Sequence, residues 1–151
     1  MIVVTGAAGF VGQAVHERLN EAGHDVLALT HGKLFQPGHG EISLDLNDPR
    51  HYESLRNSCE AAGTLIHLAG LVPVALGPGI DGDHRPRATA QDFSGVYQSN
   101  VVMTARLLEF ALSVGIRHVV LASSQSVYGL PPATVVTEDT PPAPLEQYAA
   151  S

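Results

Sequence analysis

The chain has 151 residues, 44% of them hydrophobic and 15% charged, with a formal net charge of −7, a composition that supports one buried core of ordinary size. With 8 Lys and Arg against 15 Asp and Glu and no basic cluster, it lacks the electrostatic footprint of a nucleic-acid binder. A single cysteine, Cys59, excludes an intrachain disulfide framework and suits a reducing compartment. The N-terminus has no basic n-region, and no apolar run approaches the ~20 residues that span a bilayer. A cytoplasmic protein without a membrane partner is expected.

Ile2 to Val4 are β-branched or apolar and read as a strand buried on both faces. The glycines Gly6, Gly9 and Gly12 follow, and apolar positions at helical spacing run from Phe10 to Asn20, closed by Gly23 and His24. A second strand is expected over Asp25 to Leu29. Strand, glycine-rich turn and helix N-terminus together present backbone N–H groups and a positive dipole end to a phosphate. A glycine triple alone also fits a purely structural turn; its place between strand and helix favours a dinucleotide.

Thr30 to Gly40 is polar and loop-like, and Glu41 to Leu44 reads as a short strand. Asp48 and Pro49 are an N-cap and first helical residue for a helix toward Cys59, which falls on its apolar face. Thr64 to Leu68 is a fourth strand, and Leu71 to Asp92 an irregular, Pro- and Gly-rich loop. Phe93 to Val114 carries one long amphipathic pattern stopped by Gly115. Arg117 to Ala122 is a fifth strand, apolar enough to be buried on both faces yet expected at the sheet's edge in this chain, where a sixth strand of a longer parent would cover it; Pro131 to Pro144 is a loop, and Leu145 to Ser151 a helix start. The alternation predicts an α/β, Rossmann-like doubly wound parallel sheet of order 3-2-1-4-5 within one domain, with ligands at the carboxyl ends of its strands.

With its three-and-three spacing, TGxxGxxG, the sequence resembles the short-chain dehydrogenase/reductase superfamily, and in particular the NAD-dependent epimerase/dehydratase family of its extended branch. The resemblance runs through essentially the whole chain: Asp45-Leu46 after the third strand, His67-Leu68-Ala69-Gly70 after the fourth, Asn100-Val101 in the long helix, and Ser123 to Gly129 ending in V-Y-G. It implies a cofactor site of Gly6, Ala8, Gly9, Phe10, Val11, Gly12, Thr30, His31, Lys33, Asp45, Leu46, Leu68, Ala69, Gly70, Asn100 and Ser123. Asp45 would accept from the adenine amino group while Leu46 packs on the ring, or Asp45 is simply a solvated strand end. Asn100 would steady the active site from a kinked helix, or be an ordinary polar helix position. His67, in an apolar run, reads as a satisfied core histidine.

The resemblance also suggests a catalytic pair. Ser124, three residues before the valine of V-Y-G, would bond the reacting oxygen, and Tyr148 would move its proton while hydride passes to or from the nicotinamide. Ser123 and Ser126 are weaker candidates, and Tyr128 belongs to the structural V-Y-G.

Two departures stand out. The family's Y-x-x-x-K needs a lysine four residues after Tyr148, and the sequence stops at Ser151. Without that cation, forming tyrosinate at neutral pH costs on the order of 4 kcal/mol. Little turnover is expected of this chain, with the substrate-binding C-terminal part belonging to a longer parent. The second departure is at the end of the second strand, where NAD-preferring relatives carry an acid and this chain has Thr30, His31 and then Lys33. His31 and Lys33 would suit a 2′-phosphate or merely solvate a loop, so NAD and NADP both stay open. No metal-ligand spacing is present. The expected function is an NAD(P)-dependent epimerase, dehydratase or reductase on a small-molecule substrate, a nucleotide sugar or related hydroxyl or carbonyl compound. A homodimer is one assembly that the resemblance allows. The alternative is a noncatalytic dinucleotide-binding or interaction module.

Overall fold

The β-branched start forms the central strand of the sheet. The computed structural model describes residues 1–32, 40–72, 93–130 and 135–151. In it, β1 (Ile2–Thr5), β2 (Val26–Thr30), β3 (Glu41–Ser43), β4 (Thr64–His67) and β5 (His118–Leu121) make one sheet of order β3-β2-β1-β4-β5. Each pairing is parallel, which requires crossover connections and sets the strand ends that receive ligands on one side of the sheet. The described residues fall into two compact units, the first from residues 1–70 and 102–122, the second from residues 71–101 and 123–151.

In the first unit, side chains alternate across the sheet and feed two cores. Val3, Leu27, Leu29 and Leu65 pack with Leu55 and Cys59 of α2 (Arg50–Cys59) and with Met103, Leu107 and Phe110 of α4 (Met103–Ser113). Val4, Ala28 and Val26 pack on the other face with Val15 and Leu19 of α1 (Phe10–Glu21). Cys59 is fully buried and its thiol is pushed up to about 11 by that burial, so it acts as a small apolar residue. Helix α1 closes with the His24 N–H on the Leu19 carbonyl, and α2 opens with the Arg50 N–H on the Asp48 carboxylate, the capping expected of Asp48-Pro49.

Leu145 to Ser151, read as a helix start, forms turns instead, and two other elements take a more particular form than their apolar pattern shows. At Asn100, where a kinked helix was expected, the pattern over Phe93 to Val114 is interrupted: α3 (Phe93–Val96) gives way to a π-helical stretch, Tyr97–Val102, before α4 begins. Hydrophobic periodicity cannot register a widening by one residue per turn, which here accompanies tertiary hydrogen bonds of Asn100. Strand β5 is apolar and lies at the edge of the sheet, as expected of it in this chain: Val119 is 43%, Val120 54% and Leu121 52% exposed. It is the outer strand, paired on one side by β4. The loop readings over residues 33–39, 73–92 and 131–134 lie outside the described residues.

Candidate functional site

The turn between β1 and α1 is shaped by where side chains cannot go. Gly6 has φ +65°, and a Cβ there would come within 2.7 Å of the Ala69 nitrogen and 2.8 Å of the Leu68 carbonyl carbon. A Cβ on Gly12 would overlap the Gly6 carbonyl oxygen and lie 2.8 Å from the Ala7 Cα. The Gly9 N–H donates to the Gly6 carbonyl at 2.9 Å and the Ala7 N–H to the Leu29 carbonyl at 3.3 Å, so the turn is tied to itself and to β2. Helix α1 has no side-chain cap at Gly9 and no acid in its first turn. Its first internal acceptor receives Gln13 N–H, leaving the amides of Phe10, Val11 and Gly12 as the orphan donors of a helix start. Ala8 sits in the same turn, and the Phe10 and Val11 side chains are exposed. A turn with no room for a side chain at Gly6 or Gly12, fronted by the amides of a helix start, suits a pyrophosphate.

The neighbouring strand ends complete this side of the sheet. Leu68, Ala69 and Gly70 follow β4, with the Leu68 and Ala69 N–H groups each 3.2 Å from the Thr5 Oγ1. The Leu68 N–H is shared with the Thr5 carbonyl at 3.3 Å. His67 is the satisfied core histidine expected of it: buried, with Nδ1 2.6 Å from Thr5 Oγ1 and Nε2 3.0 Å from Thr104 Oγ1. Beyond β3, Asp45 turns one carboxylate oxygen back onto its own chain, accepting from Asn47 N at 2.9 Å and Asn47 Nδ2 at 3.2 Å. Leu46 lies in the core with Leu27 and Leu55.

At the end of β2 the sequence reading missed a carboxylate. Thr30 is buried, and its hydroxyl donates to Glu41 Oε1 of β3 at 3.2 Å. The pairing of Ala28 with Glu41 and Thr30 with Ser43 puts Glu41 and Thr30 on one face, close enough for a glutamate to reach. An acid is therefore present beside β2 although none directly follows Thr30 in sequence. His31 is exposed next to Gly32, whose N–H donates to Ser43 Oγ at 3.1 Å; Lys33 lies outside the described residues.

In the second unit, Asn100 sits in the π-helical stretch and grips the backbone of Leu71 from both sides. Its Oδ1 accepts the Leu71 N–H at 2.8 Å and its Nδ2 donates to the Leu71 carbonyl at 3.0 Å. The same Nδ2 lies 3.1 Å from Ser151 Oγ, which donates to the Tyr148 carbonyl at 2.7 Å. Tyr148 is half-buried in a turn closed by Ala150 N–H on the Glu146 carbonyl. Ser124 caps a 3-10 turn, Gln125–Tyr128, by accepting Ser126 N–H at 3.2 Å, and Ser123 beside it is exposed.

Residues 2–151 match the model of the NAD dependent epimerase/dehydratase family. The chain belongs to that family. A curated relative, the UDP-glucose 4-epimerase of Mycolicibacterium smegmatis, is 34% identical over 149 residues, covering 98% of this chain and 46% of the relative. A short-chain dehydrogenase/reductase superfamily protein from Agrobacterium tumefaciens, solved with bound NAD, superposes with a TM-score of 0.79 at 30% identity, over 99% of this chain and 41% of its own. MoeE5, solved with UDP-glucose and NAD, gives a TM-score of 0.76 at 35% identity over 99% of this chain and 44% of its own. The chain thus spans somewhat under half the length of these relatives. Among the described residues, no helix is long and apolar enough to cross a membrane.

Proposed function

We propose that the first unit binds NAD and that the chain serves an NAD-dependent epimerase, dehydratase or reductase acting on a nucleotide sugar. The observation that carries this reading is the turn at Gly6 to Gly12, where a Cβ on either end residue would strike backbone and the first amides of α1 stand uncapped. The Phe10, Val11 and Gly12 N–H groups would hold the pyrophosphate. Ala69 and Gly70 would let a ribose close on the backbone, and Asp45 would offer the adenine amino group the oxygen not taken by Asn47. Similar proteins solved with bound NAD support NAD over its 2′-phosphorylated form.

Bound NAD supplies a hydride acceptor at its nicotinamide ring. Toward that chemistry, Tyr148 would move a proton at the substrate's reacting oxygen, Ser124 would hold the same oxygen through its hydroxyl, and Asn100 would fix the Leu71 backbone and the turn carrying Tyr148. The nucleotide-sugar assignment is supported by the relatives, one named as a UDP-glucose 4-epimerase and another solved with UDP-glucose.

Fluorescence titration of the folded chain with NADH and NADPH tests the reading. Saturable enhancement with NADH, weaker with NADPH, is expected; absence of saturable binding to either overturns it.

A further inference from the structure

Thr5, His67 and Thr104 come from β1, β4 and α4, all within the first unit, and form one buried chain of polar atoms. The positions of the protons along it follow from counting. Thr5 Oγ1 has two lone pairs and one hydrogen. Both the Leu68 and Ala69 N–H groups point at it from 3.2 Å, so its lone pairs are engaged and its hydrogen goes to His67 Nδ1, 2.6 Å away. An Nδ1 that accepts leaves the neutral ring's proton on Nε2, where it is donated to Thr104 Oγ1 at 3.0 Å. Burial holds the imidazole pKa down to about 4, in keeping with a ring that stays neutral. A charged ring would aim a second N–H at an oxygen with no lone pair left for it.

The consequence reaches the dinucleotide site. The two amides held by Thr5 belong to the turn whose backbone a Gly6 Cβ would meet at 2.7 to 2.9 Å. That turn and the glycine turn are facing walls in backbone contact, and the spacing between them depends on the Thr5 hydroxyl being oriented with its hydrogen away from the amides. We propose that His67 is a positioning residue for the dinucleotide site: as the Nε2–H tautomer, anchored by Thr104, it turns the Thr5 hydroxyl so that both amides of the Leu68–Ala69 turn are held against Gly6. This rests on the reading of the first unit as an NAD site. It assigns His67 no contact with the cofactor.

Two measurements test it. The first needs no cofactor: ¹⁵N-resolved imidazole spectra of the chain at neutral pH, with the His67 signal identified by its loss in His67→Gln. An unprotonated Nδ1 and a protonated Nε2 are expected; the opposite tautomer overturns the proposal. The second is NADH affinity in variants shown to be folded. Thr5→Val should weaken binding about tenfold, the scale of an unsatisfied buried donor, while Thr5→Ser stays within about twofold because the hydroxyl is kept. Because an asparagine oxygen can stand in for Nδ1 and a glutamine amide for Nε2–H, His67→Asn should bind NADH more tightly than His67→Gln. A merely structural histidine would not give this ordering, and equal affinity of folded Thr5→Val and the wild-type chain overturns the proposal. If the wild-type chain binds no NADH, the cofactor reading and the positioning role both fall, whereas the proton order along the chain is still decided by the tautomer.

Discussion

The glycine turn of the first unit and the Ser124–Tyr148 region of the second are built from different materials. The turn is backbone throughout: its shape comes from side chains that are missing, and its donors are amides that a helix start leaves unpaired. Ser124 and Tyr148 are side chains on short turns, held by hydrogen bonds such as the Ser126 N–H on Ser124 Oγ and the Ser151 hydroxyl on the Tyr148 carbonyl. A backbone site fails when atoms are added, and a side-chain site fails when they are removed.

Additions at the turn should therefore have the largest effect. Gly12→Val would drive atoms into the Gly6 carbonyl and Ala7, destabilising the chain by about 3 kcal/mol or more and abolishing NADH binding. Urea denaturation and fluorescence titration check both. The buried His67 gives a pH effect of similar size. Its pKa is lowered from 6.5 to about 4, so the unfolded chain takes up a proton before the folded one does. Its stabilising contribution is complete above about pH 6.5 and is lost as pH falls toward 4, in total about 3 kcal/mol. The loss should show as a urea midpoint that falls between pH 7 and pH 4.5, and falls less in folded His67→Gln.

Removals in the second unit should cost less. Asn100→Ala leaves both polar groups of Leu71 without their partner, and about 2 kcal/mol is expected. Hydrogen exchange should then accelerate at Leu71 more than in β1. Ser124→Ala removes the cap on Ser126 N–H, about 1 kcal/mol, measurable by denaturant titration. Tyr148→Phe should change stability by less than about 0.5 kcal/mol and leave NADH affinity within twofold. A large loss of NADH affinity there would break the division between the two regions.

The same contrast explains what could be read in advance. The Gly12 part of the turn was legible because its clash is local, with Gly6 and Ala7, whereas the atoms that exclude a side chain at Gly6 belong to Leu68 and Ala69, distant in sequence. Strand order followed from alternating elements, since parallel neighbours demand crossovers. The features that were missed are non-local. Glu41 meets Thr30 only through the register of two paired strands. At Asn100 the resemblance foresaw a kinked helix, but its π-helical form and its partner Leu71, 29 residues away, were not in the hydrophobic pattern. His67 could be read as a core residue from its apolar neighbours, but its proton order depends on Thr5 and Thr104, 62 and 37 residues distant. The apolar run of β5 and its edge position were both read in advance, and its exposure follows from that place in the sheet.

The central claim, that a backbone turn in the first unit holds a dinucleotide, is tested most directly by following backbone amide resonances of the ¹⁵N-labelled chain as NAD is added. Saturable shifts concentrated at residues 6–12 and 68–70, largest at Phe10, Val11 and Gly12, are the predicted result. Shifts that do not saturate, or that saturate elsewhere while this turn stays silent, would contradict it.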